Sequence, residues 1–508
     1  MFGNLLNEMY KKLVIAALLI SGALCSQENK AKLIEIKQAG SLSYDKSITS
    51  ARILKGDVIC AHDGALLYCD TAYFFDTDNR ISAVGHIVIT KGDSIRVTGE
   101  RLQYDGKTKM AALQGNVKVV EKDMTLSTNI LTFDVGRSVA SYFNGGTIVN
   151  RENTLTSKNG HYFSASKEAA FHFDVVLTNP DYKMNSDTLR YKIRNKTAYF
   201  IGPSLITSKS DYIYCENGWY DTDKEKSQFS KNAILVTKQQ KLRGDSLLYD
   251  RNEGRGRAFR NVTLVDTSQK SIIYGNYIEY KQKKSEALVS DKAIYVRLLD
   301  KDTLFVAADT LYHIDTDSIH AKLNAFHHVR VYKSNMQAMC DSASMTTLDS
   351  LLKLFYSPIL FTNHSQAASK LITVTVGKNA LKGFELDGMA FLSQSVDTLR
   401  NDKFNQMLAK KIVAEFANDT IRKITAIGNS EIYYYPKNKD KISGLNKTTG
   451  AEIAAWFKAG ELARVSIRSK TEGTVDPIKD VDIKNAQLKG FNWQYNKRPL
   501  SRFDLHPH

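Results

Sequence analysis

Four aspartates each follow an aromatic residue at a recurring place in this chain: Asp105, Asp134, Asp221 and Asp250. Two carboxylates at a defined separation in one cleft are what a glycosidase needs. These four instead stand where an apolar run gives way to turn residues, as in "YDGKTK" and "YDRNEGRG". An Asp placed there accepts hydrogen bonds from nearby backbone N–H groups, so a turn role is the expectation. His313, His320, His327 and His328 cluster, but their spacing fits no metal motif. In a strand, neighbours such as His327 and His328 face opposite sides. The glycine-rich "EGRGR" (Glu253–Arg257) lies between two strand-like runs, which is not the setting of a phosphate-binding loop. With no GxSxG, Walker or Cys/His signature in the chain, no catalytic residue, metal or cofactor is expected.

The N-terminus reads as an export signal, residues 1–25. Lys11 and Lys12 precede the apolar run Leu13–Leu24, which is too short for a stable membrane anchor. "ALCSQ" offers a cleavage point after Cys25. Acylation of Cys25 is the lipoprotein alternative, but Leu24 stands where a lipobox wants a small residue. Cys60, Cys69, Cys215 and Cys340 remain without any CxxC pair. Cys60 and Cys69 would meet across the tight turn at "HDG" if they formed a disulfide. Buried free thiols are the simpler reading.

The 508 residues are 43% hydrophobic and 24% charged, a balance that rules out disorder as the main state. Abundant Tyr (25) and Phe (22) favour strand. The net charge of +16 suits nucleic acid, an acidic glycan or lipid phosphates, or is a merely basic surface. Nucleic acid fits least, because export and the lack of a basic helix or RNP pattern both oppose it.

What positions all these residues is a repeat. An acidic or Asn residue is followed two places later by an apolar residue, and two places after that by an aromatic. Examples are "GERLQYD" (Gly99–Asp105), "TNILTFD" (Thr128–Asp134), "SDTLRYK" (Ser186–Lys192) and "GDSLLYD" (Gly244–Asp250). The anchors Phe74, Tyr104, Phe133, Phe163, Tyr191, Tyr220, Tyr249, Tyr280, His313 and Met345 stay 28 to 33 residues apart. A second arm recurs in step, as in "LQGNVKVV", "AVGHIVIT" and "FRNVTLVD". Looser copies lie at Ala414–Tyr435 and Ala451–Gly473. Each arm has one apolar and one polar face, and stacked hairpins bury together what one hairpin leaves exposed. The expected fold is therefore all-β: two antiparallel sheets facing each other, built from about a dozen hairpins of about 30 residues. If each repeat adds one strand to each sheet, a dozen layers make a rod of about 60 Å. Phe404–Phe416 has a helix-like run but falls in the repeat frame, and strand is expected. The main repeat region runs from 26 to 368, and residues 369–508 carry looser repeats of the same type.

The series acidic-x-Leu-x-Tyr-Asp, turn, Gly-Asn-Val-x-Val resembles the OstA/LptA family of periplasmic lipopolysaccharide-transport proteins. The segments that carry it best are Gly99–Val120, Gly244–Val265 and Ala414–Tyr435, and the end of the chain looks like the longer OstA-like proteins of Bacteroidota. The resemblance implies an elongated, folded-over β-jellyroll with a V-shaped section, whose apolar inside shields lipid A acyl chains in the periplasm. It places Leu102, Tyr104, Val117, Val119, Leu131, Phe133, Leu189, Tyr191, Leu247, Tyr249, Val262 and Leu264 on that inside as lipid-binding positions. It implies lipopolysaccharide as the partner, with end-to-end strand addition to another copy or a related jellyroll in a bridge to the outer membrane. The alternative is a structural or adhesive envelope protein with the same repeats and a closed core.

Overall fold

Period-2 alternation becomes antiparallel strand along almost the whole chain, including Phe404–Ala417. The structure, a computed structural model, describes residues 33–506 apart from 48, 63, 92–94, 122–123, 210, 222, 239, 251, 301, 318–319, 363, 378–380, 398–399, 401, 418–419, 439–440 and 459–460. The signal-like segment and Cys25 lie outside the described residues. Among the described residues the helical turns are short 3-10 segments, and no helix is long and apolar enough to cross a membrane. Two compact units divide the chain. One holds residues up to Lys238 together with Gly244–Gly256, and the other holds Gln239–Arg243 and Arg257–His508.

In the first unit each arm pairs with the next: Arg52–His62 with Ala65–Phe75, then Arg80–Lys91, Ile95–Asp105 and Met110–Glu121. The expected turn role of the aspartates is borne out. Asp105 Oδ1 accepts from the N–H groups of Lys107 (2.8 Å) and Thr108 (2.9 Å). Asp134 does the same for Arg137 N (2.8 Å), Asp221 for Lys224 N (2.9 Å) and Asp250 for Glu253 N (3.1 Å).

The arms do not divide between two sheets as whole strands. Each arm runs through a corner at its middle, where two residues of one strand stand opposite one of its partner. In the first unit the corners begin at Gly56, Gly85, Gly115, Asn144, Phe173, Gly202 and Lys231, every 29 or 30 residues, all with positive φ. At most of them the next residue is left-handed too, as at Asp57, His86, Asn116 and Asn232. The half of the arm before the corner lies in one half-sheet and the half after it in the other. Leu54, before its corner, and Val58 and Cys60, after it, belong to one buried cluster with Ala83, Ile87, Leu102, Leu113 and Val117. Every arm is thus one layer of both half-sheets, and a repeat rises by two layers, about 10 Å, twice the expected amount.

The acidic or Asn position of the repeat stands opposite these corners. Asp70 Oδ2 is hydrogen-bonded to His86 Nδ1 (2.8 Å), Asn116 Nδ2 donates to Glu100 Oε1 (2.6 Å), and Asn232 Nδ2 donates to Glu216 Oε1 (2.8 Å). Further along the unit a glycine pair makes room inside. A Cβ on Gly146 or Gly160 would come within 2.4 or 2.2 Å of the Tyr142 ring, whose hydroxyl is bonded to Ser157 Oγ at 2.6 Å.

The second unit has the same device at Arg260, Asp291, His327, Tyr356, Gly388, Gly428 and Ser469, more widely and less regularly spaced. His327 and His328 are both corner residues with positive φ, so they do not alternate across a strand. Each is bonded to its own acid, Asp341 (3.3 Å) and Asp309 (2.8 Å). Opposite the later corners Lys370 and Lys410 replace the acid and lie against Gly388 and Gly428.

After Pro477 the strands stop. Residues 478–506 run back over the outside of the second half-sheet of this unit. Gln406 and Gln366, buried side chains on that face, bind the strap from both ends of their amides. Gln406 Nε2 donates to Ala486 O (2.9 Å) and its Oε1 accepts from Leu488 N (2.8 Å). Gln366 Nε2 donates to Asn492 O (2.6 Å) and its Oε1 accepts from Gln494 N (2.7 Å). Phe404 packs on Phe491 and Trp493, Phe361 on Tyr495, and Arg330 Nη1 donates to Asp504 O at 2.8 Å.

Two measurements check this account. Gly160→Ala drives a methyl into the Tyr142 ring and costs about 1–3 kcal/mol in chemical denaturation, with the m-value unchanged. Leu488→Ala empties a buried site under the strap and costs about 2–4 kcal/mol in the unfolding of the second unit.

Candidate functional site

An interior made of alternate side chains is the natural site in this fold, since each half-sheet turns its apolar face inward. Of the positions singled out by resemblance, Leu102, Val117, Val119, Leu189, Tyr191, Leu247 and Tyr249 are buried in the first unit, and Val262 is buried in the second. Tyr104, Leu131, Phe133 and Leu264 are half-buried.

Their burial is graded in the first unit. Close to the corners, Leu102 (6% exposed), Leu113 and Val117 (1%) are packed away. Towards the free edges of the half-sheets, Ile89, Val97, Tyr104, Ala111 and Phe133 keep part of their surface open. The Tyr104 ring meets His62 from the other half-sheet at 5.5 Å between centroids. Level with these edge residues, Ile81, Val119 and Leu126 are buried, so the strands Arg80–Lys91 to Met124–Asp134 form a wedge that is tight at the corner and open only in places at its mouth. Farther along the same unit the grade disappears: Leu189 is fully buried and Tyr191 is 6% exposed. Ile89, Val97 and Ala111 were not singled out from the sequence, although their alternation with polar neighbours carries the same signal.

Titratable groups mark a different spot, in the second unit. His313 is enclosed, with Asp315 at 3.8 Å. Burial lowers its pKa first of all, while Asp315 and Asp266 pull the other way. Gln240 Nε2 donates to Asp266 Oδ2 at 2.8 Å, and Gln269 Nε2 donates to Asp315 Oδ1 at 3.4 Å, so both carboxylates are engaged. Nothing here resembles a nucleophile with its base. Among the described residues no group of three His, Cys, Asp or Glu side chains is arranged to hold a metal ion.

The four described cysteines are free: Cys60, Cys69 and Cys215 are buried and Cys340 is half-buried. Burial pushes the Cys69, Cys215 and Cys340 thiols up to about 12, which leaves them as small apolar fillers rather than nucleophiles.

With this geometry in hand, the comparison with known proteins is direct. Residues 31–187 match the family model for OstA-like proteins. Over that segment the chain is similar to OstA-like proteins. The graded wedge falls within it. No curated protein matches the chain. Among solved structures a likeness is found to LptH of Pseudomonas aeruginosa, described as the LptA-homologous periplasmic component of a lipopolysaccharide transport device. It is 17% identical, covers 21% of this chain and 82% of that one, and has a TM-score of 0.20. A superposition that loose assigns no function by itself.

The enclosed histidine has a measurable consequence. Its folded pKa lies below the unfolded value near 6.5, so the folded state binds fewer protons. The stability that this gives is fully present above about pH 6.5 and is lost as pH falls below it. Urea titrations of the second unit's transition at pH 7.5 and pH 5.5 should show this loss, and His313→Gln should make it smaller.

Proposed function

We propose that this chain is a lipopolysaccharide-transport protein of the periplasm, and that its OstA-like segment shelters lipid A acyl chains between its half-sheets. One observation carries the reading: inside the OstA-like segment, apolar inner side chains at the mouth of the wedge are left partly uncovered. A protein interior closes to crystal-like density when nothing else must enter. Ile89, Val97, Tyr104 and Phe133 keep a surface on which acyl methylenes gain about 0.8 kcal/mol each on leaving water. Leu102, Leu131 and Val117 form the floor beneath them, and Val119, opposite Val97, lies at the mouth. In this reading Leu189, Tyr191, Leu247 and Tyr249 continue the inner wall of the first unit, and Val262 and Leu264 belong to the inner wall of the second. No bond is made or broken, and the chain acts by solvation.

The strand ends favour assembly into a bridge. Glu461–Arg468 and Glu472–Pro477 pair with Gly444–Lys458 and end the ladder of the second unit, with Val465 and Val475 exposed. Glu35–Gln38 and Ser41–Ser43 pair with Arg52–His62 at the start of the first. Such edges accept a further strand from another copy or a related jellyroll. The sealed interior around Leu189 and Tyr191 favours the structural alternative for those rungs alone.

Photo-crosslinking in cells tests the reading. A photoreactive residue at Tyr104 or Phe133 should give adducts with lipopolysaccharide, and one at the outward Gln103 should give none. Adducts only at Gln103, or at no position, would leave the closed-core alternative in place.

A further inference from the structure

We infer that the end of the strap is a membrane-docking turn, in which Leu500 and Phe503 enter a lipid surface while Lys497, Arg498 and Arg502 meet anionic phospholipid headgroups. The starting point is a pair of apolar side chains that the fold leaves outside. Leu500 is 65% exposed and Phe503 is 77% exposed. Phe503 belongs to the 3-10 turn Arg502–Leu505, and Leu500 lies three residues before it. Elsewhere the strap turns its large side chains to the sheet, as Phe491 and Trp493 do against Phe404. Here it turns them away.

The backbone beneath the pair is fixed. Ser501 Oγ accepts from Phe503 N (3.2 Å), and Asp504 Oδ2 accepts from both Leu500 N and Ser501 N (2.8 Å each), which completes a capping box. The turn is also pinned to the second unit. Leu505 is buried, Arg330 Nη1 donates to Asp504 O (2.8 Å), and His506 Nε2 is bonded to Ala293 O (3.3 Å). Docking therefore orders no further backbone, and rigid presentation of an anchor favours binding.

Charge selects the occupant. From Lys484 onward the chain carries Lys484, Lys489, Lys497, Arg498 and Arg502 against a single acid, Asp504. That acid is engaged by the two N–H groups of the capping box. Asp309, the acid of the underlying strand that acts on His506, is bonded to His328. Lys497 Nζ donates to the neutral Gln494 Oε1 (3.0 Å), Arg498 Nη1 donates to Tyr495 O (3.1 Å), and the Arg502 guanidinium lies 4.9 Å from the Phe503 ring. Among the described residues none of the three is paired with a carboxylate, so their charge is uncompensated. An apolar tip with a basic collar is the chemistry of an interfacial anchor: the tip reaches the acyl boundary and the cations stay with the phosphates. A soluble anion would leave Leu500 and Phe503 in water. A stable protein partner needs about 800 Å² of surface on each side, far more than two side chains supply.

Sedimentation with vesicles tests the proposal on residues 26–508, which contain the whole described fold and omit the apolar run Leu13–Leu24. Vesicles of phosphatidylethanolamine with phosphatidylglycerol are compared with vesicles of phosphatidylcholine alone. Binding to the anionic vesicles is expected, at least about tenfold tighter than to the neutral ones and weakened by salt. Leu500→Ser with Phe503→Ser should weaken it at least about tenfold. Lys497→Gln with Arg502→Gln should weaken it at least about tenfold at low salt and flatten the salt dependence. All four side chains are exposed, so both double variants should keep the melting curve of the parent. Phe503→Trp should gain fluorescence that lipids brominated along their acyl chains quench. Absence of binding, equal binding to neutral vesicles, or binding unchanged by the serine pair would overturn the proposal. A dimer that the serine pair dissolves would also overturn it, because a second copy would then be the cover. The variants leave the apolar interior intact, so each of these failures is separate from the acyl-chain reading.

Discussion

Two left-handed residues opposite one extended residue are the constraint on which each unit rests. A ladder of alternating strands has an apolar face that it cannot bury by itself. Bending every arm at its middle folds that face onto itself, and only then does a core exist. The bend is costly for residues with a Cβ, by roughly 1–2 kcal/mol each in the left-handed region. Gly56, Gly85, Gly115 and Gly202 avoid that cost, and Asn116 and Asn232 reduce it. The acid opposite then accepts a hydrogen bond from the corner side chain, as Glu100 does from Asn116. The conspicuous acidic position of the repeat is a brace for a bend.

The strands, the turn aspartates and the inward residues were legible because each depends on local chemistry. An Asp at a turn acts on N–H groups two or three residues away, and a strand shows its two faces at every second residue. The corner was hidden by arithmetic. From Leu113 to Val117 the inward positions are four apart, so alternation appears unbroken through Gly115 and Asn116. On the partner arm the interval from Gly99 to Leu102 is odd, and that phase change is the sign that sequence reading passed over. The same oversight placed His327 and His328 on opposite faces, when both occupy one bend. The strap was illegible for a different reason. Its bonds join Gln366 and Gln406 to residues 80 or more positions away, and no local pattern records them.

The interior and the exterior divide the chain's chemistry between them. Inward positions are apolar wherever they stand, so a single residue such as Tyr104 says little until its burial is compared with that of its neighbours. Among the described residues most of the positive charge falls on outward positions, where no core constraint fixes it, the buried Lys333 being paired with Asp302. Lys497, Arg498 and Arg502 could not be distinguished from the other basic residues by sequence, because what sets them apart is the capped turn that holds Leu500 and Phe503 beside them.

The strap also governs the order in which the second unit is completed. A repeat array whose contacts link only neighbours gains stability one rung at a time, from any starting point. Here His506 reaches back to Ala293 O at 3.3 Å, a separation of 213 residues. Closing so long a loop belongs to the slow, high-contact-order end of folding. Until the strap docks, Phe361, Phe391 and Phe404 lack its cover. The strap thus ties the completion of the second unit to contacts far apart in sequence rather than to the addition of single rungs.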